Sequence, residues 1–169
     1  MPRRRSPYVL LLAVPLLLLG CRKSASSEAG GGPSFPAGSL PDSAMTPGDV
    51  LTSDRATICQ PGYTQTVRNV PSGLKAQVYR EYKIASHQPG EYEVDHLISL
   101  ELGGSNSLRN LWPQSYVTKP LNAHIKDALE NKLHTLACKG SISMQEAQKA
   151  VSGDWIAAYL KYVGPLPTQ

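Results

Sequence analysis

Apolar side chains recur at helical spacing in the second half of the chain, and they predict its longest helix. Leucine and isoleucine residues repeat every three or four positions after Pro120, a residue that is tolerated in the first turn of a helix. This apolar stripe consists of Leu121, Ile125, Leu129, Leu133 and Leu136. Lys139 and Gly140 follow it and are typical of a helix C-terminus. The pattern therefore predicts one helix over residues 120–139.

Two shorter helices are predicted near the C-terminus. Ser143 and Glu146 have the spacing of a capping box, which opens a helix that ends near residue 151. Residues 154–163 predict a final helix, because its large apolar residues repeat at core spacing. These core residues are Trp155, Ala158, Tyr159 and Tyr162.

The middle of the chain predicts a pair of strands. Residues 91–97 alternate in polarity, a Gly-Gly pair at residues 103–104 turns the chain, and residues 109–112 return antiparallel. Residues 57–59 predict a further short strand, and residues 73–83 predict a helix with a serine cap. Two short strands that feed a helix, with other helices around them, indicate an α+β domain.

The N-terminus has the features of an export signal. In residues 1–20, three arginines precede an apolar run of about eleven residues, which is short for a transmembrane helix of about 20 residues. Cys21 directly follows Leu-Leu-Gly, a sequence that resembles the lipobox of bacterial lipoproteins, in which this cysteine is lipidated and becomes the mature N-terminus. An uncleaved short anchor is the alternative. Both interpretations place the body of the protein outside the cytoplasm, held at a bacterial membrane on its periplasmic or cell-surface face.

A polar segment separates this signal from the predicted domain. Residues 21–54 are rich in Ser, Gly, Pro and Ala and contain few large apolar side chains. Such a composition predicts a flexible tether with a reach on the order of 30 Å. The folded domain is predicted over residues 55–164.

Two cysteines remain in the predicted domain. Cys59 and Cys138 form an even pair in an exported chain, and this favours a disulfide. The closed loop spans about 80 residues, for which the chain-entropy model gives roughly 4–5 kcal/mol of stabilisation. A metal site is the competing use, although the pair lacks a C-x-x-C spacing.

Charge adds little to this picture. Without the three arginines of the signal, 14 basic and 13 acidic side chains remain, a net charge of +1. This mild bias permits a nucleic-acid partner without indicating one, because a dedicated nucleic-acid surface is usually more basic.

The candidate chemistry lies at the end of the first predicted strand. Asp95 is a hard metal ligand and its neighbour His96 is a potential general base, a combination that suits metal-assisted phosphodiester hydrolysis. Adjacent strand residues point to opposite faces, so both can serve one site only if the strand ends or bulges there. The loop that follows allows this.

A second metal ligand is expected from the following helix, where Asn122, His124 and His134 are candidates. Asn122 and His124 differ by about 200° around a helix and cannot serve the same ion. His134 lies about 18 Å along the axis from Asn122, too far to join a site at the helix start. Asn122 also lies near the helix N-terminus, which favours a phosphate. Asn122 is therefore the preferred candidate, with His124 as the alternative.

These residues resemble the motif of a known family. Val94-Asp95-His96-Leu97-Ile98, the Gly-Gly-Ser-Asn turn, Asn110-Leu111 and a helix that carries Asn122 are similar to HNH endonucleases, the ββα-metal proteins. Further segments resemble exported bacterial HNH-like proteins, and this likeness covers about residues 58–163. The segments are Cys59-Gln60-Pro61-Gly62-Tyr63, Arg68-Asn69-Val70-Pro71, Asn110-Leu111-Trp112-Pro113-Gln114, Lys126-Asp127-Ala128-Leu129-Glu130 and Ala147-Gln148.

The resemblance implies a role for each matching residue. Asp95 matches the metal-ligating aspartate and His96 the general base. Asn110 matches the middle asparagine, which braces the loop and orients the histidine. Asn122 matches the last position, a ligand on the helix that is His or Asn in different members. The implied fold is a ββα-metal hairpin-plus-helix core with additional helices. Asp and Asn ligands without a thiolate suit Mg²⁺, with Mn²⁺ or Zn²⁺ as alternatives.

The sequence thus predicts a membrane-tethered, metal-dependent HNH-type endonuclease that cleaves DNA or RNA with low sequence specificity. The alternative is a non-catalytic binding or structural lipoprotein module on the same scaffold. Arg109 and Lys119 flank the predicted cleft and are candidate phosphate contacts, or equally a solvated face. The other charged residues of the helix, Lys126, Asp127 and Glu130, are interpreted as a charged helix face rather than as part of the site.

Overall fold

An antiparallel pair of strands with helices around it is seen in the computed structural model, which describes residues 39–168. The strands are β1 (Tyr92–His96) and β2 (Leu111–Ser115). Within the described residues the helices are α1 (Arg55–Ile58), α2 (Tyr63–Val67), α3 (Ser72–Glu81), α4 (Ala123–Cys138), α5 (Met144–Gly153) and α6 (Trp155–Tyr162). This architecture confirms the predicted α+β class.

The two strands meet in a register that places the Asp-His pair at the sheet's end. Asp95 pairs with Trp112 and His96, the last residue of β1, pairs with Leu111. The connection contains two 3-10 turns, Leu100–Leu102 and Leu108–Asn110. The second turn uses residues that the pattern assigned to the return strand, so β2 begins two residues later than predicted.

Local capping explains where most helices begin. Ser143 accepts a hydrogen bond from the backbone of Glu146, which confirms the predicted cap of α5. Asp154 caps α6 in the same way. The predicted strand at residues 57–59 is wrong, because the Asp54 side chain accepts hydrogen bonds from the backbone of Ala56 and Thr57 and opens the short helix α1 instead.

The apolar core lies between α4, α5 and α6. Leu129 and Leu133 of the predicted stripe are completely buried, and Trp155 and Tyr159 of α6 pack with them. Removal of these side chains from water supplies most of the stability of such a small domain. No helix among residues 39–168 has the length and apolar character needed to cross a membrane.

The folded part begins earlier than residue 55. Trp155 donates its ring N–H to the Ser39 carbonyl oxygen over 3.1 Å, and the Gly48 N–H donates to the Arg109 carbonyl oxygen over 3.0 Å. The described part of the predicted tether, residues 39–54, therefore packs on the domain. Its composition alone indicated disorder, but backbone hydrogen bonds and the buried Trp155 hold it in place. The predicted signal peptide, Cys21 and the rest of the tether lie outside the described residues.

The predicted disulfide is present. Cys59 and Cys138 are bonded, with their Cα atoms 5.7 Å apart and a sequence separation of 79 residues. The bond joins the end of α1 to the last residue of α4. It therefore attaches the first helices of the domain to the long helix that carries most of the core.

Candidate functional site

A polar cleft of about 350 Å³ opens where the end of β1 faces the side of α4. Five carboxylates and one imidazole line it, and two basic residues belong to the same cluster. Arg68 lies at its rim, and the buried Lys126 lies beneath it. The acidic and imidazole side chains that line the cleft are Glu93, Asp95, His96, Glu101, Asp127 and Glu130. Asp95 and His96 thus reach a common cavity, as their position at a strand end allows.

Hydrogen bonds determine which nitrogen of His96 is free. The Asn106 amide N–H donates to the Val67 carbonyl oxygen over 2.8 Å, so its Oδ1 is the atom that faces the imidazole. That oxygen lies 3.1 Å from Nε2 of His96. Because an amide oxygen can only accept, Nε2 carries the proton and Nδ1 keeps its lone pair. The ring therefore has one nitrogen available to take a proton.

Burial also keeps the His96 ring neutral. The side chain is 4% exposed, and this desolvation lowers the pKa of His96 despite the opposing effects of the Asn106 bond and the Asp95 charge. At neutral pH the imidazole is therefore in its basic form. A neutral ring with a fixed tautomer is the form that a general base requires.

Beneath the cleft, Lys126 joins β1 to α4. Its ammonium is completely buried and lies 2.7 Å from Oδ2 of Asp95 and 2.8 Å from the His96 carbonyl oxygen. Its third contact is the Glu130 carboxylate. An ammonium has three N–H donors, so all of them are used.

The ion pairs keep Lys126 charged in spite of its burial. Desolvation alone lowers the pKa of Lys126, but the charges of Asp95 and Glu130 outweigh it and hold the pKa above its usual value. One ammonium thus neutralises part of the charge of two carboxylates and fixes the strand end against the helix.

The remaining carboxylates of the cleft have no such partner. Burial is the main factor that raises the pKa values of Glu93, Glu101 and Asp127, and neighbouring carboxylates raise them further. Glu93 accepts a hydrogen bond from the Tyr116 hydroxyl over 2.6 Å. When all five carboxylates are ionised, Lys126 and Arg68 offset only two of the charges, so the cleft is short of positive charge.

An unpartnered hydroxyl adds a further oxygen to the cleft. Ser99 lines it and is 7% exposed, and its Oγ has no hydrogen-bond partner among residues 39–168. A buried hydroxyl without a partner has a free-energy cost of roughly 1–3 kcal/mol. Carboxylate and hydroxyl oxygens are the donors that a hard divalent cation prefers.

The predicted pair of metal ligands is not brought together. Asn122 is the N-cap of α4, where its Oδ1 accepts from the Ile125 N–H over 3.3 Å, and it lines a different cavity with Lys119. Helix α4 turns Asp127 toward the cleft instead, five positions and about 140° further around the helix axis. Helix α4 thus contributes two carboxylates to the cleft, Glu130, which is paired to Lys126, and Asp127, which is not.

The other histidines of α4 lie apart from the cleft. His124 is exposed, with Nδ1 3.9 Å from a carboxylate oxygen of Asp127. His134 lines a neighbouring cavity beside the disulfide. Within residues 39–168, the only three His, Cys, Asp or Glu residues whose ligand atoms all lie within 4.8 Å of one another are Cys59, His134 and Cys138.

Asn110 braces the loop that carries the cleft. Its Oδ1 accepts from the Ile98 N–H, and its Nδ2 donates to the carbonyl oxygens of Ile98 and Ser105, each over 2.9 Å. Gly104 makes room for this arrangement, because an added Cβ would lie 1.7 Å from the Ile98 carbonyl oxygen. Asn110 is completely buried, and the side chain that contacts the imidazole is Asn106.

The predicted phosphate contacts do not line the cleft. Arg109 is exposed on the loop. The pKa of Asp49 is lowered mainly by hydrogen bonds from Ser105 and Ser107, and the charge of Arg109 lowers it further. Lys119 is exposed beside Asn122. Arg68, at the end of α2, is the exposed basic residue that lines the cleft.

The interpretation of Lys126, Asp127 and Glu130 as a charged helix face outside the site is wrong, because Lys126 contacts Asp95 and the two carboxylates line the cleft. Sequence reasoning also missed the roles of Arg68 and Asn106. One signal was available: Lys126 and Glu130 have the same helical phase as Leu133 and Ala137, so they belong to the buried face of α4. No comparable signal marks Asn106, whose role depends on a contact with a residue of another element.

Comparison with known proteins adds no further assignment. No family model, curated protein or solved structure matches the chain.

Proposed function

We propose that this protein is an exported, lipid-anchored, metal-dependent endonuclease of the HNH type, which hydrolyses phosphodiester bonds in DNA or RNA with low sequence specificity. The observation that carries the proposal is the buried His96 ring, which lines a carboxylate-rich cleft and whose tautomer, with Nε2 protonated and Nδ1 unprotonated, is fixed by Asn106. In this proposal β1, β2 and α4 correspond to the ββα core.

His96 acts as the general base. Its Nδ1 accepts a proton from a water molecule in the cleft, and the water oxygen attacks phosphorus while the bond to the leaving oxygen breaks. Asn106 holds the ring in the required tautomer, and Lys126 holds the backbone carbonyl of His96 in place. Asn110 is a positioning residue, because it braces the loop and does not reach the substrate.

The cleft fits a divalent cation through its oxygen donors and its shortage of positive charge. Asp127, Glu93 and Asp95 line the cleft and would supply ligands, although their oxygens do not all lie within 4.8 Å of one another. Water molecules and the substrate phosphate would complete the shell, as is usual for Mg²⁺, and Mg²⁺ suits these hard donors better than Zn²⁺. When bound, the cation neutralises charge on the phosphoryl and leaving oxygens. Mn²⁺ is the expected substitute.

Arg68 is the proposed phosphate contact of the cleft. Its guanidinium is exposed at the rim and can bind a phosphate through two parallel N–H donors. A nucleic acid is a polyanion, so an acidic cleft without a cation repels it. This requirement is a second reason for metal dependence.

Plasmid nicking by the full chain, purified in detergent with its disulfide intact, tests the proposal. We expect nicking with Mg²⁺ or Mn²⁺ that EDTA abolishes, and a loss of at least about 100-fold in His96→Ala, as for a missing general base. The matched control is His124→Ala, an exposed histidine of α4 outside the cleft. Nicking that persists in EDTA, or that His96→Ala leaves unchanged, would contradict the proposal.

One observation favours a second candidate, a non-catalytic binding module. Lys126 already neutralises Asp95, so the strand end is stable without a metal. Under this alternative the wild type and His96→Ala are equally inert with every divalent cation.

The lipid anchor is tested separately. Labelled palmitate should enter the wild type and not Cys21→Ser. Equal labelling of both would refute the anchor without affecting the nuclease proposal.

A further inference from the structure

The disulfide between α1 and α4 has a histidine beside it. Nε2 of His134 lies 3.3 Å from Sγ of Cys138, one helical turn away. The two sulfur atoms and this nitrogen all lie within 4.8 Å of one another, and all three residues are half-buried. The His134 nitrogen is therefore already at the spacing of a second ligand from the Cys138 sulfur, whereas the two sulfurs are bonded to each other.

A cavity gives access to this cluster. It has a volume of about 260 Å³ and is lined by Cys59 and His134, together with Glu101 and Tyr63. This space can admit a small reductant and can hold a water molecule beside the sulfur atoms. The cluster is thus neither sealed in the core nor fully exposed.

We propose that reduction of the Cys59–Cys138 disulfide converts this cluster into a Zn²⁺ site with two thiolates and the His134 imidazole as ligands. A dithiol reductant supplies two electrons and two protons, the S–S bond breaks, and the reductant becomes a disulfide. Zn²⁺ then binds the two sulfurs as thiolates and displaces the two protons. A water molecule in the cavity takes the fourth position.

The donor chemistry selects zinc. Two thiolates and one imidazole form a soft ligand set, and Zn–S and Zn–N bonds of about 2.3 and 2.0 Å place neighbouring ligand atoms about 3.3–3.8 Å apart in a tetrahedron. The His134 nitrogen is already at this distance from one sulfur. Only the sulfurs must move apart.

This site differs from the cleft in both ligands and redox state. The cleft offers oxygen donors whatever the state of the cysteines, whereas the sulfur site exists only after reduction. The proposal therefore does not depend on nuclease activity, and metals can distinguish the two sites.

Cobalt titration of the full chain tests the inference. Reduction with a phosphine avoids adding competing thiols, and Co²⁺ bound to thiolate gives a charge-transfer band in the near ultraviolet. We expect one equivalent of Co²⁺ with this band in the reduced wild type, displacement by Zn²⁺, and no band in the oxidised protein. Loss of a residue that only hydrogen-bonds to a metal ligand weakens metal binding by roughly 10- to 100-fold. His134→Ala should weaken Co²⁺ binding by more than this, whereas His124→Ala should bind Co²⁺ like the wild type.

Thermal unfolding provides a second measurement, which remains informative if the reduced chain is partly unfolded. Zn²⁺ should raise the Tm, or restore folding, in the reduced wild type and not in reduced His134→Ala. Three outcomes each overturn the proposal: no thiolate band after reduction, equal metal uptake by oxidised and reduced protein, or an unaltered affinity in His134→Ala.

Discussion

The buried face of α4 contains two groups of side chains, and each holds the protein together in a different way. The apolar group, Leu129 and Leu133, packs against α5 and α6 through contacts that have no preferred direction. The polar group, Lys126 and Glu130, joins the helix to the end of β1 through directed hydrogen bonds and ion pairs. All four residues are excluded from water almost equally well.

The comparison shows why equal burial does not mean equal tolerance. An apolar side chain can be replaced by another of similar volume at a small cost. A buried ammonium cannot, because its removal leaves two carboxylates and a carbonyl oxygen without their partner. The polar group is therefore the more fragile one, and it is also the group that positions Asp95 and His96.

The largest effect is expected for Lys126→Met. The variant keeps the volume of the side chain and removes its charge, and it should reduce the free energy of unfolding by about 3–5 kcal/mol, as for other broken buried ion pairs. Urea unfolding measures this loss. Lys132→Met, at an exposed position of the same helix, is the control and should stay within about 0.5 kcal/mol of the wild type.

A triple variant sharpens this result. Lys126→Met combined with Asp95→Asn and Glu130→Gln removes the unpaired charges and should recover much of the lost stability. If the single variant loses less than about 1 kcal/mol, the effect of an average mutation, the ion-pair explanation of the polar group's fragility is wrong.

In the apolar group, Leu133→Ala should cost about 2–5 kcal/mol, since a completely buried leucine leaves a cavity. Leu133→Met should cost less than about 1.5 kcal/mol. The difference between these two variants, measured by urea unfolding, indicates how well the apolar group tolerates a change of shape. A methionine as damaging as the alanine would show that the two groups do not differ in the way described.

A smaller effect is expected at the start of α4. Asn122→Ala removes the N-cap hydrogen bond and should lower the free energy of unfolding by about 0.5–2 kcal/mol. Because Asn122 does not line the cleft, its removal should leave Mn²⁺ affinity unchanged, which electron paramagnetic resonance of free Mn²⁺ can measure. Asp127→Asn is the contrasting variant and should weaken Mn²⁺ binding. The reverse pattern would restore Asn122 as the ligand.

The smallest effect is expected for Glu101→Gln, measured as the change of the free energy of unfolding with pH. Glu101 represents the carboxylates of the cleft that have no ion pair with Lys126. Burial raises the pKa of Glu101 above that of an unfolded glutamate. The folded state therefore holds this proton more tightly, and its contribution to stability is present at low pH and is lost as the pH rises from about 4.5 through the folded pKa. Glu101→Gln should flatten this part of the stability profile and raise stability at pH 7. A profile identical to that of the wild type would contradict the assignment.

Much of the fold could be predicted because its signals are local. The stripe around Leu129 and Leu133 identified α4, and the spacing of Ser143 and Glu146 identified the start of α5. The failure at residues 57–59 is also local: three residues with high strand propensity were converted to a helix by the cap at Asp54. Propensity over so few residues is weak compared with two capping hydrogen bonds.

The sequence by itself determined the class of the domain, its long helix, its disulfide pair and the position of Asp95 beside His96 at a strand end. Those features depend on periodicity, on cysteine count or on neighbours in the chain. Only the tertiary structure decided that Lys126, which lies 31 residues from Asp95 in the sequence, donates a hydrogen bond to the Asp95 carboxylate. It also decided that Asn106 selects the tautomer of His96, and that Asp127 replaces Asn122 at the cleft. The physical reason is that these outcomes depend on how the strand end meets α4 in space, which a one-dimensional pattern of polar and apolar residues does not specify.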